Sequence, residues 1–232
     1  VSMLDLVEPY LPLILSGTLV TISVAILSLS GSLLIGLAGA FLSLAGNDFS
    51  RRIVTVYTTL IRGIPDLVLM LLFYFGGQML LNNLGAATGL WDYVEISAFG
   101  AGIVTIAVIF GGYMVETFRG AALAIPKGQI EAGLAFGLSR RRLFTRIIWP
   151  QLLGYALPGI GNNWQILMKT TALVSVIGLQ DMVFNSFQAG RATRHMFVFM
   201  GVAMCLYLVI TMILGFVIHA LTRRYSLDPA AR

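Results

Sequence analysis

Residues 13 to 45, LILSGTLVTISVAILSLSGSLLIGLAGAFLSLA, carry no charged side chain. As a helix this run would rise about 50 Å, more than one upright crossing of a bilayer core about 30 Å thick and too little for two crossings with a loop. It reads as a single tilted or extended helix. Further apolar runs, near 66–82, 98–115, 152–178 and 197–220, approach or reach the roughly 20 residues that a crossing needs. Only 11% of the residues are charged, against about 25% in soluble domains. The 232 residues are therefore used up by spans, and no large water-soluble domain fits beside them.

Between the runs, the polar segments have distinct characters. Ile53, Val54, Tyr57, Ile61 and Ile64 recur at helical spacing, with Arg52, Thr55, Thr59 and Arg62 opposite, which predicts a helix lying in the interface. Pro65 and Asp66 suit a helix start. The segment from Asn82 to Ser97 is acidic, lacks Lys and Arg, and holds Trp91 and Tyr93 for the headgroup level, as an outside loop would. The fourth run is expected to be interrupted at Pro158 and at GIGNNWQ, and the fifth ends at Arg223 and Arg224. No repeat or low-complexity tract stands out.

Basic residues in such a chain first report orientation, so the net charge of +5 does not call for a nucleic acid. Twelve Lys and Arg follow spans one, three and five, two (Arg191 and Arg194) follow span four, and Lys169 lies within a span. The positive-inside rule then puts the 116–150 segment and the C-terminus in the cytoplasm and, with five spans, the N-terminus outside. The N-terminal VSMLDLVEPY lacks the basic start of a cleaved signal, so the first span is expected to be retained. Cys205 is the single cysteine, and His195 and His219 are far apart, so no disulfide within the chain and no metal site is expected.

Residues 131–150, EAGLAFGLSRRRLFTRIIWP, should form two short helices joined at Gly137 and Ser139, closed by Pro150 before the fourth span. Arg140, Arg141, Arg142 and Arg146 are available there to lipid phosphates or to an acidic partner. The spacing of Glu131, Ala132, Gly133, Gly137, Leu138, Ile147 and Pro150 resembles the EAA loop of the permease subunits of bacterial ATP-binding-cassette importers. Gly133 replaces that pattern's second alanine and Trp149 its leucine. TTLIRGIPDLVLMLLFYFGG (58–77), GGYMVETFRGAALAIPKGQIEAG (111–133), ALPGIGNNWQILMKTTALVSVIGLQD (156–181) and the terminal RRYS (223–226) resemble polar amino acid permeases. The likeness is greatest to Q-type subunits of histidine, lysine, arginine and ornithine importers and their opine-uptake relatives.

This resemblance implies an all-α integral membrane fold of about five transmembrane helices, the type I importer permease fold. One permease domain would cover 1–232, with the cytoplasmic coupling loop 116–150 inside it. It also implies partners in a bacterial inner membrane: a second permease subunit, either a paralogous M-type chain or another copy, two ATPase subunits and an extracytoplasmic binding protein. ATP and magnesium would sit on the ATPase. The residues agree independently, because the two lysines stand in PKGQ and MKTT and neither can belong to a phosphate-binding loop.

Polar side chains inside spans mark candidate routes. Asn162, Gln165 and Lys169 share a helical face with Asn163 beside it, and together with Asp181 in the following loop they are the candidates for the substrate path, packing against a partner permease being the alternative. An ammonium in the path of a cationic side chain would repel it by about 4 kcal/mol at close range. A structural ion pair with Glu116 or Asp181 is therefore expected for Lys169, and a local pair for Glu116 with Arg119. No nucleophile, acid pair or metal cluster suggests an enzyme. A self-contained channel or ion-driven carrier stays open as the alternative to an ATP-driven importer.

Overall fold

The computed structural model describes residues 3–225, and no strand occurs among them. Ser226, the end of the RRYS motif, lies outside the described residues. After short helical turns at Met3–Val7 and Glu8–Tyr10, the helices are α1 (Leu11–Ala45), α2 (Asp48–Gly63), α3 (Asp66–Thr88), α4 (Ala98–Leu123), α5 (Lys127–Ala135), α6 (Arg140–Ile177), α7 (Met182–Thr193) and α8 (Met196–Tyr225). Four helical runs are long and apolar enough to cross a membrane, and α6 with α7, bent by 55° at their junction, supplies a fifth.

Helix α1 is one continuous helix, as its length requires. Its buried stripe is built from small or weakly polar residues, Gly17, Thr21, Ala25, Ser28, Ser32, Gly36 and Ala40 among them, while Leu13, Leu19, Leu34 and Phe41 are exposed. Lipid tails already satisfy large apolar side chains, so spans associate where small residues let backbones approach. The seam with α4 shows this. A Cβ on Gly36 would overlap Met114, one on Gly39 would overlap Val115, and one on Gly31 would meet Ala107 at 2.8 Å. Ser28 also donates a hydrogen bond to the Ile103 carbonyl, at 3.2 Å.

Helix α2 departs from a purely interfacial placement. The Tyr57 hydroxyl donates to the Val108 carbonyl at 2.5 Å, and Ile61 packs beside Gly112. These partners lie midway along α4, so α2 climbs against the bundle. Helix α3 continues to Thr88 and ends at Gly89 with φ +66°, which shortens the expected outside loop. Helix α4 extends to Leu123 and carries Glu116 and Arg119 as part of the span.

The fourth span differs most from expectation. Pro150 does not end a separate piece: the chain passes from Arg140–Leu143 through a π turn at Phe144–Ile148 into Trp149–Thr170. Pro158 and GIGNNWQ lie within that last helix. The π turn lies just ahead of Pro150, which falls in the first turn of the helix that follows, where a missing N–H costs little. The real interruption comes later, through a 3₁₀ segment at Thr171–Ile177 and Gly178 at φ +85°.

Replacing Gly36 by leucine should destabilise the α1–α4 seam by about 1–3 kcal/mol, the usual range for overpacking. The measurement is thermal unfolding of the purified protein, with the lipid-facing Leu34→Ala as the control expected to leave the midpoint nearly unchanged.

Candidate functional site: a docking loop joined to a polar helix face

The loop after α4 is shaped by its backbone. Helix α5 closes with Leu138 N–H donating to Gly133 O at 3.0 Å and Gly137 N–H donating to Leu134 O at 2.9 Å. Gly137 sits at φ +75°, the left-handed position of a Schellman ending, where a Cβ is strained. Ser139 then caps the next helix by accepting from Arg142 N–H. Gly133 is buried, and a Cβ there would meet the Leu143 Cδ1 at 2.6 Å and the Ile147 Cδ1 at 3.0 Å. Gln151 Nε2 donates to Gln129 Oε1 at 2.6 Å. Together these contacts bind α5 to the base of α6. Glu131, Ala132, Leu134 and Phe136 are exposed, Phe136 at 89%. Ala132 and Phe136 join Leu138, Ile147 and Pro150 in lining a shallow groove of about 490 Å³ between α5 and the base of α6.

From that base α6 carries a stripe at spacings of three and four: Tyr155, Pro158, Asn162, Gln165 and Lys169 are all exposed. Asn163 faces the other way. It is 7% exposed and donates through Nδ2 to Thr117 Oγ1 at 3.0 Å, so its amide is used between α6 and α4. Asp181 is fully buried too, at the α6–α7 bend, where its Oδ1 accepts from Ser175 Oγ at 2.7 Å and from Phe184 N–H at 2.8 Å, capping α7. The bend is fastened to α1 as well: Met182 N–H donates to Thr21 Oγ1, and Asn185 Nδ2 donates to Leu13 O.

The expected pair of Glu116 with Arg119 forms, with contacts of 2.5 and 3.1 Å to one carboxylate oxygen. Lys169 joins neither Glu116 nor Asp181: Arg119 holds the first, and the second is buried, capping α7 through Oδ1 while its Oδ2 has no hydrogen-bond partner among the described residues. Its ammonium stays on the open face. A second polar recess, which sequence reasoning did not assemble, lies between α2 and α4: about 360 Å³, lined by Thr58, Thr59, Arg62, Gly63 and Tyr113. The Arg62 guanidinium stands over the Tyr113 ring at 5.6 Å. Tyr113 is next to Met114 and one turn from Thr117, the two contacts of Asn163. Arg62 and Asn163 thus meet α4 about one turn apart, in its C-terminal half. The outer-loop residues Arg191, Arg194 and His195 are exposed and belong to α7 and its end.

Residues 31–227 match the family model described as binding-protein-dependent transport system inner membrane component. The chain belongs to this family. It is 49% identical to the histidine/lysine/arginine/ornithine transport system permease protein HisQ of Escherichia coli, over 92% of this chain and 93% of that one. It is 41% identical to the octopine transport system permease protein OccQ of Rhizobium radiobacter, over 87% and 85%, and 38% identical to the arginine ABC transporter permease protein ArtQ of Haemophilus influenzae, over 94% and 95%. The fold matches a chain of an amino acid ABC transporter crystallised with histidines, with a TM-score of 0.80, 28% identity, and coverage of 97% of this chain and 99% of that one. This is a multi-pass permease component of an ABC transport system in the inner membrane, and it is not an enzyme.

The two glycines of the loop predict opposite outcomes within this permease. Gly137→Val, at a left-handed backbone position, should reduce solute-driven ATP hydrolysis of the assembled transporter by roughly tenfold or more. Gly133→Ala should be tolerated, since the tip of Leu143 can shift to make room. Both are read from membrane-inserted protein quantified by immunoblot and ATPase assay.

Proposed function

We propose that this chain is the permease subunit of an importer that moves a basic amino acid (arginine, histidine, lysine or ornithine) or an opine into the cytoplasm by alternating access. The observation that carries the mechanism is continuity: one helix, α6, holds the docking loop at its base and Asn162, Gln165 and Lys169 along its open face. A displacement of the loop therefore moves the polar face without any intervening joint but the π turn. The substrate class is supported by the printed specificities of the relatives.

The charges suit such a solute in a divided way. Arg62 and Lys169 are placed for carboxylates, which every amino acid and opine carries, and both would repel a cationic side chain. Asn162 and Gln165 offer neutral donors and acceptors to the rest of the molecule. Charge distribution supports an N-terminus outside and a C-terminus with the 116–150 segment in the cytoplasm. Glu131, Ala132 and Phe136 would then meet one of two ATPase subunits, which hold ATP and magnesium. The uncovered face of α6 would meet a second permease, a paralogous M-type chain or another copy, and Arg191, Arg194 and His195 would lie toward the binding protein.

Reconstituted with its partners, the Asn162→Leu transporter should take up substrate roughly tenfold more slowly, about 1.4 kcal/mol, as expected for a lost polar contact. Glu131→Lys should abolish uptake and ATPase stimulation while leaving insertion intact. Arg141→Cys should react with an impermeant thiol reagent only from the cytoplasmic side. Labelling from outside, or uptake that survives both other changes, would overturn the reading.

A further inference from the structure

An apolar recess of about 380 Å³ opens where α1, α4 and α6 diverge near the docking loop. Leu37, Phe41 and Leu44 form one wall, Phe118 and Ala122 the floor, and Phe144, Ile148 and Trp149 the other wall. It lies away from the polar face of α6 and opens beside Phe41, which is 68% exposed among the other lipid-facing side chains of α1. The rim is strongly basic. Arg140 and Arg141 stand four and three residues before Phe144, so they crown the same wall one helical turn further from the bilayer centre. Both are exposed, and neither forms an ion pair among the described residues. On the other wall α1 ends at Ala45 and α2 begins with Asp48, which pairs with Arg51 at 3.6 Å, followed by the exposed Arg52.

We propose that this recess is a binding site for an anionic phospholipid of the cytoplasmic leaflet, with an acyl chain between Phe41 and Trp149 and the headgroup phosphate on Arg140 and Arg141. It uses the orientation inferred above but no part of the transport mechanism. Charge complementarity selects the occupant. A neutral apolar partner would leave the arginines unmatched, and a soluble anion would leave the apolar walls unfilled, whereas a phospholipid fits both halves. Trp149 lines the recess, and its indole suits the interfacial depth that the headgroup end of a lipid chain occupies. Because α6 forms one wall and the docking loop rests on α6, the lipid would sit against the moving element.

The test is competitive lipid retention by the whole transporter complex. Detergent-purified complex is equilibrated with equal phosphatidylglycerol and phosphatidylcholine, washed, and analysed by native mass spectrometry. Wild type should hold phosphatidylglycerol in excess. The paired change Arg140→Gln and Arg141→Gln should lower that excess by roughly tenfold while the complex stays assembled. Ala122→Trp, which fills the floor, should displace both lipids from the site. Equal retention of the two headgroups by wild type, or the same preference in both variants, overturns the proposal; so does protection of Arg140 and Arg141 by the ATPase with no lipid preference. None of these results depends on uptake, so they separate from a failure of the transport reading, which the Arg141→Cys labelling addresses.

Discussion

The architecture rests on the close approach of α1 and α4. Inside a bilayer, apolar side chains gain nothing by leaving lipid for protein, so association has to come from backbone proximity and a few polar contacts. At this seam Gly31, Gly36 and Gly39 supply the first, and the Ser28 hydrogen bond to Ile103 supplies the second. With that seam fixed, α2 and α6 pack on the remaining sides of α4, Tyr57 reaching Val108 and Asn163 reaching Thr117. Tyr113, which lies under Arg62, and Thr117, the partner of Asn163, are one turn apart on α4, and this brings the two polar regions near each other.

Transmission follows from how firmly the loop is held. Gly133 lets Leu143 and Ile147 close on the α5 backbone, and the Gln129–Gln151 hydrogen bond adds a polar tie. The surface left over, with Glu131 and Phe136, is free for another protein. A loop made rigid on one side and open on the other can pass force to the helix it rests on. The chain needs no reactive group for this, and its chemistry is limited to binding and packing.

Much of this was legible in the sequence, and the gaps have physical causes. The uncharged run of α1, the helix–glycine–helix shape of the loop and the Glu116–Arg119 pair all rest on local rules and hold in the structure. The fate of Pro150 and Pro158 was not legible, because a proline is tolerated near a helix start or where neighbouring helices reduce its cost, and neighbours are tertiary facts. Asn163 beside the polar face and Asp181 in the following loop were candidates for the path, since a polar side chain in or near a span is costly anywhere. Only packing reveals that Thr117 and Ser175 occupy them. The recess at Arg62 was hidden because Thr58, Arg62 and Tyr113 come together across two helices distant in sequence.

The bend at Asp181 has a mechanical consequence. Thr21 and Leu13 of α1 hold the start of α7 by hydrogen bonds, so the far end of α6 is moored while its base rides on the docking loop. A rod moored at one end swings about that end, and its travel grows toward the other. Under the proposed transport reading, a push on the loop would therefore displace the base of α6 farthest and the moored end least.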